Sequence, residues 1–248
     1  MTWRAVFAFV LLVMIAASIA MAIAAVERSP GWIAHPGAAA ILRGTWLTLV
    51  VYAGAIVIVV ANRGAEWDEE LQNAALFGSI TGLVEVVNIA FERFGFAQPV
   101  TAAFSLASML VLFLLWALAG ARTARDLRHF RPGVIAAVMS AGVCMVIAVT
   151  AGFATELFIA PPRPDVISTW AEFRRSGWLD AQAFGIANTL DSGFTHLWMG
   201  PIIALLVAVS ERGWVNAKAH HAKQWQTVRG SSRSSRVLFW RYSIAKTA

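Results

Sequence analysis

The sequence predicts an all-α polytopic membrane protein with about six transmembrane helices and both termini on the cytoplasmic side. Three observations carry that expectation. Charged residues make up 14% of the 248-residue chain and hydrophobic residues 58%, whereas a soluble domain carries about 25% charged residues. Mean hydropathy is +0.65, and the apolar residues fall in long blocks. Lys and Arg are distributed unevenly between the connections that separate those blocks.

The blocks cover residues 5–26, 45–62, 71–91, 99–120, 134–160 and 182–209. Each is near the roughly 20 residues that a spanning helix requires. The first follows "MTWR" and ends in "AMAIAA", which resembles a secretory leader with a small-residue cleavage site. Its roughly 21 apolar residues exceed the 7–15 of a leader's apolar core, so it reads as a retained helix. Residues 1–210 then form the membrane domain and residues 211–248 a basic tail.

Orientation follows from charge. Loop 121–133 holds Arg122, Arg125, Arg128 and Arg131, and the tail from Glu211 holds eight more basic residues. With six spans these share a side with Arg4 and Arg63. Fourteen of the 20 Lys and Arg residues therefore lie on one side, which the positive-inside rule assigns to the cytoplasm. The expected location is the cytoplasmic (inner) membrane. The same rule accounts for the formal charge of +6 without nucleic acid. On the opposite side, residues 161–181 contain "PPRP" and "VISTWAEFRRSGWLD", which reads as a short interfacial helix with Trp170 and Trp178 at headgroup level.

The third block raises the functional question. In "GLVEVVNIAFER", residues 82–93, two carboxylates and an amide sit inside an apolar run. At about 100° per residue, Glu66, Glu70, Asn73, Phe77, Thr81, Glu85, Asn88 and Glu92 share one face. A carboxylate facing lipid is costly, so the stripe must face protein or water, and this helix is expected at the centre. Glu66, Asp68, Glu69 and Glu70 have a simpler explanation, because anions suit a helix N-terminus. Glu85, about 20 Å along the helix, has none.

Matching groups occur at similar depth elsewhere. The sixth block holds "NTLDSGFTHLWMGP", residues 188–201, where Asn188, Asp191, Ser192 and Thr195 share a face flanked by His196. Gly200-Pro201 should kink or locally open that helix. Glu156 lies near the outer end of the fifth block. The candidate ion- or substrate-binding residues are therefore Glu85, Asn88, Glu92, Glu156, Asn188, Asp191 and His196, between helices three, five and six.

Three explanations compete. The cluster is a polar network that locks the helices together; or an ion or proton pathway, or an ion-coupled substrate site; or a metal or catalytic centre. The leading functional reading is movement of a cation, a proton or a solute coupled to one. The alternative is a non-catalytic membrane subunit of a larger complex with a structural polar core. A metal-dependent membrane enzyme comes third. Only His196 of the five histidines lies within a span, which excludes a His-rich di-metal site. There is no phosphate loop, paired-cysteine motif, nucleophile elbow or zinc-protease helix. Ser192 beside Asp191 and His196 makes a poor triad, since adjacent positions on a helix diverge by about 100°. The sequence names no cofactor and no catalytic residue. The lone Cys144 lies in an apolar run and forms no intrachain disulfide.

The expected partners are the bilayer and, at the tail, anionic inner-leaflet lipids. "RGSSRSSR" reads as a flexible linker and "VLFWRYSIAK" as a segment that mixes aromatic burial with positive charge. His220 and His221 are solvated tail residues. A second copy of the chain or a membrane partner subunit could complete the polar face of a single span.

The orientation is testable with a reporter that fluoresces only in the cytoplasm. Fusions after residues 126 and 236 should be bright and a fusion within residues 161–181 dark. The reverse pattern would overturn the assignment.

Overall fold

Every apolar block forms a helix. The structure, a computed structural model, describes residues 3–61, 65–94 and 98–210. Among these there is no strand. Helix α1 spans Trp3–Glu27 and is followed by a 3-10 turn at Pro30–Ala34. Helices α2 (Ala38–Ala61), α3 (Ala65–Phe94) and α4 (Gln98–Asp126) follow. Helix α5 (Phe130–Ala154) runs into a π-turn at Thr155–Ile159. Two short helices, α6 (Pro164–Ile167) and α7 (Ala171–Ser176), precede α8 (Ala181–Ser210). Helices α1 to α5 and α8 are long and apolar enough to cross a membrane. The expectations for Arg63, the side chain of Glu66 and the whole tail 211–248 lie outside the described residues.

The boundaries differ from the sequence reading in two places. Helix α2 begins at Ala38 instead of residue 45, so Arg43 lies within it. The basic loop 121–133 contracts to Leu127–His129, and Arg122 and Arg125 end α4, where a helix C-terminus favours cations. Arg128 turns the chain with φ 56°. Helical backbone continues through Gly200-Pro201, so the expected local opening is absent there and occurs instead at the end of α5.

The central helix is α5, not the polar-striped α3. Of the most apolar stretch of α5, 56% is buried, against 17–28% in the other five. The reason is side-chain size. Gly133, Ala136, Ala137, Ser140, Ala141, Cys144 and Ala148 are buried along α5, and small residues let helix backbones approach closely where lipid supplies no hydrophobic drive. The neighbours reciprocate. A Cβ on Gly78 of α3 would lie 2.6 Å from Val143 Cβ and 2.7 Å from the Ser140 carbonyl oxygen, and one on Gly82 would lie 2.7 Å from Ile147 Cδ1. At the α4–α5 crossing, Gly120 and Gly133 face each other backbone to backbone. Helices α1, α3 and α4 all pack on α5, and α8 joins them through Gly193 and Gly200.

Polar bonds tie neighbouring helices at fixed levels. Ser18 and Thr150 hydroxyls lie 3.0 Å apart between α1 and α5. Asn73 Nδ2 donates to Thr123 Oγ1 at 2.9 Å between α3 and α4. Between α2 and α8, Trp198 Nε1 donates to Thr48 Oγ1 at 3.0 Å and the Tyr52 hydroxyl donates to the Leu197 carbonyl. Such bonds each contribute on the order of 0.6 kcal/mol in a membrane protein, so they set register more than stability.

The long connections form an aromatic cap at the end opposite the start of α1. Trp178 stacks on His35 at 4.0 Å and packs against Trp32 and Phe184. Trp178 is buried among these rings instead of standing free at the surface. Large apolar side chains point outward from the spans, including Val57 and Ile58 on α2, Leu83 on α3 and Leu114 on α4.

Gly78→Ala should destabilise the protein by about 1–3 kcal/mol, because the methyl group meets backbone that cannot retreat. Gly142→Ala should be nearly neutral, since only Tyr52 Cε1 lies near its Cβ position, at 3.6 Å. Thermal unfolding of the two variants in detergent checks the order.

Candidate functional site

Helices α3, α5 and α8 border a cavity of about 300 Å³, open on one side, in the half of the bundle nearer the aromatic cap. Its polar lining is Glu85, Asn88 and Glu92 from α3, Glu156 from α5, and Asn188, Thr189, Ser192 and His196 from α8. Six of the seven residues singled out by sequence thus border one void.

The seventh does not. Asp191 is exposed on another face of α8 and is absent from the cavity wall. The expected facing of Glu85 and Asp191 is therefore corrected, and so is the pairing of Asp191 with His196. The cause is the rotation of α8. Leu190 and Leu197 are fully buried, and Gly193 seats against Phe153 and Val149 of α5, where a Cβ would lie 2.6 Å from Phe153 Cε1. That rotation turns positions 188, 192 and 196, spaced by fours, into the cavity. Asp191 lies about 100° from Ser192 and turns away. The triad of Ser192, Asp191 and His196 is lost with it.

On α3 the spacing of three and four between Glu85, Asn88 and Glu92 puts all three on one side. Their outer members are held from α4. Ser105 Oγ lies 2.7 Å from Glu92 Oε1 and 3.0 Å from Asn88 Oδ1, and Asn88 Nδ2 donates to Glu92 Oε1 at 3.4 Å. A hydroxyl has one proton, so Ser105 donates to one acceptor at a time. Stacked Phe91 and Phe104 rings, 4.2 Å apart, hold the same helix pair together. Glu85 sits deeper, with Asn88, His196 and Glu92 as its electrostatic neighbours.

Glu156 reaches the cavity from the π-turn. There Ala160 N–H donates to the Thr155 carbonyl at 2.8 Å, a five-residue span that widens the last turn of α5. Such wide turns recur where a helix must re-aim a functional side chain. Arg93 Nε lies 3.5 Å from Glu156 Oε1, and its guanidinium also donates to the Ala160 carbonyl. Arg93 thereby clamps the end of α3 to the π-turn.

His196 Nδ1 lies 2.7 Å from the Ser192 carbonyl oxygen. A carbonyl only accepts, so Nδ1 carries the proton and Nε2 is the basic nitrogen of the neutral ring. The site then holds three carboxylates, one imidazole and the single guanidinium of Arg93, a balance that favours a cationic occupant. Among the described residues, no three His, Cys, Asp or Glu side chains converge as a metal-binding group. The carboxylates surround space instead of clasping a point.

Sequence reasoning missed Ser105, Thr189 and the clamp made by Arg93. For Ser105 a signal existed: Thr101, Ser105 and Ser108 follow one another at helical spacing in α4. A second cavity, about 260 Å³, lies in the other half of the bundle and is lined by apolar side chains such as Leu11, Ile56, Met139 and Val143. Of these two cavities, only the one nearer the aromatic cap has a polar wall.

A water-filled cavity should admit aqueous reagents. In a Cys144→Ala background, Ser192→Cys should react with a membrane-impermeant maleimide added from the side of the aromatic cap. Native Cys144, fully buried, should not. Absence of labelling at position 192 would show that the void is closed to water.

Compared with protein-family models, curated proteins and solved structures, the chain matches none of them.

Proposed function

We propose that this protein moves a proton or a small hydrated cation, or a small solute coupled to one, across the cytoplasmic membrane through the polar cavity between α3, α5 and α8. The observation that carries the reading is that Glu85, Glu92, Glu156, Asn188 and His196 border an open volume of about 300 Å³. A volume of this size, bordered by acids, amides and an imidazole, has room for a hydrated ion as well as for bridging water. Intramembrane acids turned toward a cavity are the usual material of ion paths.

The roles follow from position. Glu92 and Glu156 stand at the outer end, near the aromatic cap, where they attract a cation and Arg93 holds Glu156 in place. Glu85 is the deeper ion-binding acid. Asn88 and Asn188 supply neutral oxygen ligands. His196 relays a proton, taking it on Nε2 while Nδ1 stays bonded to Ser192. The absence of a compact chelating group among the described residues favours a proton or a hydrated ion over a tightly held transition metal. The asymmetry of Lys and Arg supports both termini in the cytoplasm, with the basic tail against anionic inner-leaflet lipids.

A second reading, a non-catalytic membrane subunit, draws support from the bonds of Ser105 to Glu92 and Asn88, which join α3 to α4 through two groups of the cavity wall. The two readings separate in liposomes. Under a pH gradient the wild type should carry a flux that Glu85→Gln lowers at least tenfold, with unfolding temperature unchanged. Asp191→Asn should retain it, because Asp191 lies off the cavity. A wild type that conducts nothing under proton, sodium and potassium gradients would exclude the transport reading.

A further inference from the structure

Helices α2 and α8 run side by side in the same direction, and their contacts fix their levels. Thr45 Oγ1 lies 3.4 Å from the Leu190 carbonyl, and Gly44 rests against the Phe194 ring. Arg43 and Asp191 therefore lie within about one helical turn of the same depth. Both are exposed.

Helical phase puts them on one outward surface. On α2 the residues turned to α8 are Gly44, Thr45, Thr48 and Tyr52. Arg43 lies on the exposed side with Leu47 and Val50. On α8 the residues turned to α2 include Leu190, Leu197 and Trp198, and Asp191 and Thr195 lie toward the open side. Yet no ion pair joins the two charges within 4.0 Å among the described residues. Arg43 Nε donates only to its own helix, at the Ala39 carbonyl, 3.0 Å away, and Asp191 has no hydrogen-bond or ionic partner there. The outward faces of α3 and α4 are mainly apolar, with Leu76, Leu83 and Val87 on α3 and Leu106, Leu110 and Leu114 on α4; the exposed carboxylate of α3, Glu92, is held by Ser105.

A carboxylate on a lipid-facing surface is costly and is normally turned to protein or paired. We infer that the α2–α8 face is a homodimer interface in which Arg43 of each copy pairs with Asp191 of the partner subunit. A two-fold axis along the membrane normal preserves depth, so it brings the Arg43 level of one copy to the Asp191 level of the other, twice. That is the reciprocity an isologous contact requires. The face holds one cation and one anion, so a second copy satisfies both without a foreign chain. Thr195 adds a hydroxyl donor for the carboxylate. Farther along α2, a Cβ on Gly54 would meet nothing within 4 Å, which leaves a flat place for a neighbouring helix to approach. This inference is independent of the transport reading, since none of these residues borders the polar cavity.

Charge exchange tests it. In lipid nanodiscs or bilayers the wild type should be dimeric by mass photometry or single-molecule photobleaching. Arg43→Asp and Asp191→Arg alone should each weaken dimerisation at least tenfold, and the double exchange should restore it. Disulfide trapping keeps the test valid if a single variant folds poorly. In a Cys144→Ala background, Leu47→Cys should cross-link between copies under mild oxidant, and Leu110→Cys, on outward α4, should not. A wild type that stays monomeric in lipid overturns the inference, as does a double exchange no better than the single variants, or trapping at Leu110 in preference to Leu47.

Discussion

Close approach of backbones along α5 is the constraint on which the rest of the structure depends. In a hydrocarbon solvent, lipid tails compete on equal terms with apolar side chains, so helices associate by fit and by polar bonds. Gly78, Gly82, Gly193 and Gly200 each face a bulky α5 side chain at a distance that leaves no room for a Cβ. Those contacts fix how far α3 and α8 are rotated about their own axes. Rotation in turn decides which polar groups meet. The same glycines that hold the bundle together therefore aim Glu85, Asn188 and His196 into one space and Asp191 out of it.

Much of this was legible in the sequence, for reasons that can be named. Six long apolar blocks between polar connections leave few alternatives to spanning helices. On α3, Glu85, Asn88 and Glu92 form one stripe whichever way the helix turns, so their common face follows from spacing alone. On α8 two stripes overlap. Residues 188, 191 and 195 share a face by threes and fours, and 188, 192 and 196 share another by fours. Spacing cannot choose between them, because the choice is made by Leu190, Gly193 and Leu197 through contacts with α2 and α5. The central place of α5 was written in its run of small residues, but a polar stripe is the louder signal and drew attention to α3. The π-turn at Thr155–Ile159 has no local sequence mark; the Ala160 carbonyl just beyond it is held by Arg93, far away in the chain.

The two cavities divide the bundle chemically. Toward the start of α1 the void is apolar and includes Leu11, Ile56 and Val143 in its wall. Toward the aromatic cap the wall turns acidic. Helices α3, α5 and α8 contribute to both, so each of these rods changes character midway. In α3 the change falls between Ala74 and Glu85, where Gly78 and Gly82 bring it against α5. Tight packing at Gly78 and Gly82 separates the acidic half from the apolar one.

The wide turn that ends α5 has a consequence for how such a chain can vary. A turn closed over five residues stores one more residue than the α-turn it replaces. The span and the cap beyond it, beginning at Pro161, are thus joined by a segment that tolerates a change of length. A single deletion between Thr155 and Ile159 would return the segment to ordinary helix while leaving both flanks where they are. In that shorter form the Glu156 carboxylate would swing around the rod, and gain or loss of one codon would redraw this end of the acidic wall.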